Sequence, residues 1–214
     1  MTSRAIRIDL RVDPDVLRTP QYQHPASRRS RAQREAATRP KSCVLSLESE
    51  MLYIFAGLPG TGKTTLSKHL ARTRKAAYLR IDTIEQSLRD AGMPLQGPEG
   101  YLMAYRLAEE NLRLDGTVVA DSVNPLNVTR NAWRDVARRA GVRFVEVEVI
   151  CSSVDEHRTR IASRVADIPG QPTLTWHDVQ SRLYEPWTSP RLTIDTASKS
   201  VSETLAELDR LLPQ

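Results

Sequence analysis

The sequence predicts an α/β fold of three layers, a five-stranded parallel sheet covered on both faces by helices, and three observations carry that expectation. Short apolar runs near 51–56, 76–81, 117–121, 143–150 and 191–194 alternate with helical patterns at 62–73, 99–114, 128–140, 153–166, 176–184 and 201–212, as parallel βαβ units require. The first apolar run passes straight into a glycine-rich loop that opens a helix. The chain has 214 residues and 40% hydrophobic content, enough for one ordinary domain with its own core.

In chain order, residues 1–50 read as a basic leader and 51–214 as the domain. The leader holds ten Lys/Arg against six acids, and from Arg18 to Ser42 it mixes Arg, Ser, Pro, Gln and Ala without an apolar period, so it is expected to be disordered or loosely attached. Two readings of it stay open: Met51 as the biological start, or a genuine basic tail. N-terminal sequencing of the native protein separates them. At Met51 the run Met-Leu-Tyr-Ile-Phe-Ala begins abruptly, with the pattern of a buried strand. Later helices carry their own boundary signals. Pro98 suits a first helical position, Ser153 with Glu156 and Ser200 with Glu203 form capping boxes, and Asp115-Gly116 and Gly141 stand at helix ends.

Charge and cysteine content narrow the function classes. Residues 51–214 balance 21 basic against 20 acidic groups, which gives the domain no electrostatic footprint for a polyanion. A small-molecule partner is therefore favoured over nucleic acid. Cys43 and Cys151 are the two cysteines, with neither a disulfide framework nor zinc spacing. No run reaches about 18 apolar residues, and the N-terminus lacks a secretory apolar segment. These features predict a cytoplasmic protein with no membrane partner.

The strongest motif is Gly57-Leu58-Pro59-Gly60-Thr61-Gly62-Lys63-Thr64, followed by Thr65. It fits the phosphate-loop pattern G-x-x-x-x-G-K-[ST] and lies between a predicted strand and a predicted helix. Glycines let successive backbone N–H groups turn inward around phosphate oxygens, and the helix N-terminus reinforces them. Lys63 is expected to reach the β- and γ-phosphates of a nucleoside triphosphate, and the Thr64 hydroxyl to ligate magnesium.

Two aspartates follow apolar runs, at the strand ends where ligands of parallel sheets bind. Asp82 ends the run 76–81 and Asp121 the run 117–120. Asp82 reads as a catalytic carboxylate that takes or orients the proton of an acceptor hydroxyl, or alternatively as the cap of a helix starting at Thr83. Asp121 reads as a group holding magnesium through water. Beyond residue 150, Arg158, Arg160 and Arg164 are placed on one predicted helix, with Arg160 and Arg164 on a shared face. The loop 167–172 that follows reads as a lid able to close over nucleotide. Arg158 or Arg164 would then stabilise charge on a transferring phosphoryl group. Arg130, in the polar stretch after Asp121, is expected to touch acceptor or phosphate. Trp133 reads as core, and His24, His69, His157 and His177 form no ligand cluster.

The loop, Arg80-Ile81-Asp82, Asp121-Ser122-Val123-Asn124-Pro125 with Arg130 and Trp133, and Tyr184-Glu185-Pro186-Trp187 ahead of Ile194-Asp195-Thr196 together resemble the bacterial predicted-kinase family catalogued as AAA-type ATPases. That family is similar to the kinase domain of phage polynucleotide kinase, to chloramphenicol phosphotransferase and to zeta toxins, in the adenylate-kinase-like branch of P-loop folds. The resemblance covers residues 51–212. It implies strand order 2-3-1-4-5, a helical lid, ATP as the nucleotide, Asp82 as the acceptor-activating aspartate, Lys63 and Thr64 as nucleotide and metal contacts, and Arg158 or Arg164 as the lid arginine. The expected activity is transfer of the ATP γ-phosphate to a hydroxyl, with an ATPase or nucleotide-dependent switch as the alternative. A toxin acting on a nucleotide sugar follows from the zeta-like resemblance alone.

Overall fold

The computed structural model describes residues 50–213; the leader expected over residues 1–50 lies, except for Glu50, outside the described residues. Five parallel strands run in the order β2-β3-β1-β4-β5. They are β1 (Met51–Ala56), β2 (Ala77–Arg80), β3 (Val118–Asp121), β4 (Arg143–Ile150) and β5 (Leu192–Asp195). The helices are α1 (Lys63–Thr73), α2 (Ile81–Asp90), α3 (Glu99–Arg113), α4 (Asn127–Ala140), α5 (Val154–Ala162), α6 (Trp176–Gln180) and α7 (Val201–Leu211). Strand order and the covered parallel sheet are those the sequence and its resemblance imply.

Strand β1 sits mid-sheet between β3 and β4, and all six of its residues are buried, which is why it reads as an unbroken apolar run. Its alternate side chains enter opposite layers. Leu52 and Ile54 join Tyr101, Tyr105, Leu112 and Trp133 beneath α3 and α4. Tyr53 and Phe55 join Leu66, Leu70 and Leu208 beneath α1 and α7. Trp133 is fully buried and meets the Tyr105 ring edge-on at 4.6 Å. It is core, as expected, and its truncation to alanine should cost about 3–5 kcal/mol.

Helix α2 is the element the sequence pattern did not separate. The strand stops at Arg80, inside the apolar run 76–81, and Ile81 already starts the helix, so no turn residues mark the boundary. Ile81, Ile84 and Leu88 nevertheless carry the helical spacing; Ile81 and Leu88 are buried, and Ile84 packs against the first core cluster. Asp82 is consequently not a cap for a helix at Thr83. Arg80 occupies the N-cap position and Asp82 lies in the first turn, where a carboxylate is favoured by the helix dipole.

Two capping expectations diverge. Ser200 and Glu203 make the full reciprocal box. Ser153 accepts from the Glu156 N–H, but the Glu156 carboxylate is drawn away to the Ser198 N–H and to Arg160. Helix α5 also ends at Ala162, with the Ser163 N–H bonded to Thr159 and the Arg164 N–H to Ile161. Arg164 therefore lies beyond the helix instead of sharing a face with Arg160. Among the described residues, no helix is long and apolar enough to cross a membrane.

Candidate functional site

The carboxyl ends of β1, β2, β3 and β4 share one edge of the sheet, and the chain leaves each into a segment that builds the site. After β1 comes the glycine loop. Gly57 has φ +143°, and a Cβ there would stand 2.2 Å from the Val149 carbonyl oxygen of β4, so only glycine fits. Its N–H donates to the Val123 carbonyl at 3.1 Å. Gly60, with φ +84°, lies so close to α5 that a Cβ would be 2.6 Å from Ile161 Cδ1.

Three further contacts hold the loop. Buried His157 places Nε2 2.7 Å from the Pro59 carbonyl oxygen, which only accepts, so His157 donates there. Thr61 Oγ1 donates to the Leu58 carbonyl at 2.9 Å, and the Thr196 hydroxyl lies 2.9 Å from the Thr61 carbonyl. With these contacts made, the N–H groups of Gly60, Gly62, Lys63 and Thr64 have no acceptor among the described residues. They open α1, and the combination is an anion cradle.

Lys63 Nζ donates to Asp121 Oδ1 at 2.7 Å, both side chains being almost wholly buried. The Tyr78 hydroxyl donates to Asp121 Oδ2 at 2.6 Å. Burial pushes the Asp121 carboxyl up, but Lys63, helped by Tyr78 and Thr64, outweighs it and holds the group below the ordinary carboxylate range. Burial, followed by the Asp121 charge, pushes the Tyr78 phenol well up, so it stays a donor. One hydroxyl, Thr64, and one ionised carboxylate, Asp121, thus stand together beside the cradle. That donor set fits magnesium, which is bound through one or two carboxylates and completes its shell with phosphate oxygens and water. Among the described residues no three His, Cys, Asp or Glu side chains gather as a metal cage.

At the end of β2, Arg80 is 5% exposed and pairs in register with Asp121 of β3. Its NH1 donates to Asp167 Oδ2 at 2.7 Å and its NH2 to Oδ1 at 2.9 Å. Lys68 Nζ of α1 reaches the same Oδ2 at 2.9 Å. The Arg80 hydrogen bonds come first among the causes that hold the Asp167 carboxyl well below its usual range. Asp82 lies 3.6 Å from Arg80 NH2, with about a third of its side chain exposed. Glu85, one turn further along α2, is pushed up by burial and then by the neighbouring Asp82 charge.

The lid arginines separate. Arg160 donates to the Thr196 hydroxyl at 2.7 Å and the Thr196 carbonyl at 2.9 Å, and pairs with Glu156. Arg158 on α5 is exposed, Arg164 is half-buried beyond it, and neither has a side-chain partner among the described residues.

Arg130 corrects an expectation. It is fully buried, and all five guanidinium N–H groups are spent inside the protein. Nε donates to the Asn124 carbonyl, NH1 to Asn127 Oδ1 and the Pro186 carbonyl, and NH2 to the carbonyls of Pro125 and Glu185. Its CZ stands 4.1 Å from the Trp187 ring centroid and 5.0 Å from that of Tyr184. Arg130 therefore ties the segment 184–187 to the loop after β3 and has no donor left for acceptor or phosphate. The Tyr184 phenol, pushed up to about 12 chiefly by burial, donates to Glu148 at 3.0 Å.

Of the residues singled out in the sequence, the structure brings Lys63, Thr64 and Asp121 together beside the loop and sets Asp82 next to Arg80. Sequence reasoning placed Asp167 only at the start of the lid loop 167–172, assigned no site contact to Tyr78, Lys68, His157 or Thr196, and gave Arg80 no role. Arg80 carried a readable signal, a cation inside an otherwise apolar run. The others meet the site only through long-range packing.

Comparison with known proteins agrees with this architecture. A probable adenylyl-sulfate kinase of Aeropyrum pernix is 24% identical over 173 residues, covering 78% of this chain and 94% of that protein. The Mycobacterium tuberculosis APS kinase CysC in complex with AMPPNP and APS superposes with TM-score 0.53 at 22% identity, covering 76% of this chain and 97% of the other. Chaetomium thermophilum Kti12 in complex with ADP-AlF3 gives TM-score 0.56 at 22% identity, covering 75% and 96%. These structural likenesses show the shared fold. A family model described as AAA domain matches residues 52–186, more than half of the chain, and the chain belongs to that family of P-loop proteins.

Proposed function

We propose that this protein is a magnesium- and ATP-dependent phosphotransferase that moves the γ-phosphate to a hydroxyl of a small molecule. The observation that carries the reading is the buried Lys63–Asp121 pair at 2.7 Å, set at the mouth of a backbone cradle, with Asp82 in the first turn of the helix that follows β2. The relative in Aeropyrum pernix and the APS kinase holding AMPPNP and APS support it.

Bound ATP with magnesium would supply the phosphoryl group and a cation that offsets its charge, the metal held by Thr64 and Asp121. Lys63 would neutralise phosphate oxygens above the cradle, and the backbone N–H groups of Gly60, Gly62, Lys63 and Thr64 would orient them. Asp82 would take the acceptor hydroxyl's proton, or fix that hydroxyl in line for attack. Arg158 or Arg164 would offset equatorial charge from the lid side, with the loop 167–172 keeping water out.

Transfer of label from γ-labelled ATP to hydroxylated metabolites, nucleosides and 5′-hydroxyl oligonucleotides tests the reading. Lys63→Ala should abolish transfer. Asp82→Asn should lower kcat by about 10²–10⁴-fold while ATP affinity stays within a few-fold. Label released only as free phosphate, independent of any acceptor, would replace the kinase reading with the ATPase or switch. Full turnover in Asp82→Asn would remove that residue from the chemistry.

A further inference from the structure

We infer that Arg80 and Lys68 form an anion subsite beside the phosphate loop, occupied here by the protein's own Asp167 and in function by an anionic group of the acceptor, a carboxylate, sulfate or phosphate ester. The inference deepens the phosphotransferase reading, on which it rests for the word acceptor. Its physical basis is the asymmetry of the three partners.

Arg80 is fixed and buried at 5% exposure, and a buried guanidinium requires an anion. That anion comes from the solvent side. Asp167 lies in a segment without regular structure after α5, and its side chain is 43% exposed. Donors from two separate elements converge on it: NH1 and NH2 of Arg80 at 2.7 and 2.9 Å, and Lys68 Nζ at 2.9 Å. A guanidinium fork with a lysine alongside fits the oxygens of a bound oxyanion, and a carboxylate satisfies only part of what is offered. Arg80 Nε is buried and has no hydrogen-bond partner among the described residues.

The position gives the subsite its use. Arg80 NH2 is also 3.6 Å from Asp82, and Arg80 faces Asp121 across the β2–β3 register. An acceptor anchored here by its anionic group would hold a hydroxyl within the neighbourhood of Asp82, and would compete with Asp167 for the fork. Asp167 then acts as an internal stand-in that keeps the buried cation compensated until acceptor arrives.

Calorimetric titration of inorganic sulfate into the full chain saturated with magnesium and a non-hydrolysable ATP analogue tests this, because all three phosphate positions of the loop are then filled. Asp167→Asn removes the internal occupant and should tighten sulfate at least ten-fold over wild type. Lys68→Gln added to Asp167→Asn should take back most of that gain. Both positions are partly exposed, so the variants keep the fold. Unchanged sulfate affinity in Asp167→Asn, or a gain that survives Lys68→Gln, overturns the subsite and leaves Asp167 a structural latch. The titration of that analogue beforehand tests the phosphate loop separately. The difference between the single and double variants reads the subsite whether or not that loop is filled.

Discussion

The phosphate loop and the Arg80–Asp167 edge flank the same strand ends and are held in opposite ways. The loop is fixed by shape: glycines pressed against the Val149 carbonyl and Ile161, and backbone carbonyls met by His157 and Thr196. The other edge is fixed by charge, with Arg80 and Lys68 sharing one carboxylate. A site held by shape is pre-formed and intolerant of added atoms. One held by ion pairs can exchange partners, because a ligand oxygen can replace a protein oxygen at little cost in packing. The division suits a protein that offers a constant cradle to nucleotide and an adaptable edge to something more variable.

The sharpest way to break the shape-held side is Gly57→Ala. The new methyl would lie 2.2 Å from a backbone oxygen of β4, at φ +143°, and neither the strand nor the dihedral can yield cheaply. The expected loss is about 3 kcal/mol or more of unfolding free energy, read by urea denaturation, together with loss of nucleotide binding. Gly92 supplies the contrast. It also has positive φ, +74°, but among the described residues nothing stands within 4 Å of its Cβ position, so Gly92→Ala should cost only about 1 kcal/mol. Equal losses at the two positions would mean that strain, and not fit against β4, governs the loop.

The same contrast explains what was legible in the sequence. The cradle is contiguous, so Gly57 to Thr65 announced itself as a motif, and the fold followed from the alternation of apolar runs around it. Asp121 drew notice because it closes an apolar run and ends β3, and Asp82 because it follows one, although the strand there stops at Arg80. The charge-held edge was not legible, because Arg80 and Asp167 are 87 residues apart and nothing in the neighbourhood of either names the other. Helix α2 was hidden by the absence of any turn between Arg80 and Ile81. Arg130 was misplaced because an arginine in a polar loop near a phosphate site looks the same in sequence whether it faces ligand or is folded inward onto carbonyls.

Arg130→Lys sharpens that last distinction. Lysine offers three donors from one point and cannot reproduce a planar fork between two rings, so at least two of the five hydrogen bonds and the stacking on Trp187 are lost. The expected loss is about 2 kcal/mol of stability, with KM for ATP and for acceptor unchanged. A ten-fold rise in acceptor KM at undiminished stability would return Arg130 to the substrate site.

The smallest effect lies on the charge-held side and is read through pH. The folded-state carboxyl of Asp167 sits well below its ordinary value, first through the Arg80 hydrogen bonds, whereas in the unfolded chain it titrates near about 3.9. A depressed carboxyl contributes stability that is complete above the unfolded value and is lost as pH falls through the folded one. The stability difference between wild type and Asp167→Asn should therefore stay flat from about pH 5 to pH 8 and shrink only below about pH 4. Since 43% of the Asp167 side chain is exposed, water screens the pair, and the plateau should be about 1 kcal/mol or less. A plateau that small is what an exchangeable partner requires, since an internal anion bound much more tightly could not give way to a ligand. A difference that grows on acidification would mean that Asp167 is not the ionised partner of Arg80, and the edge would have to be held by Asp82 instead.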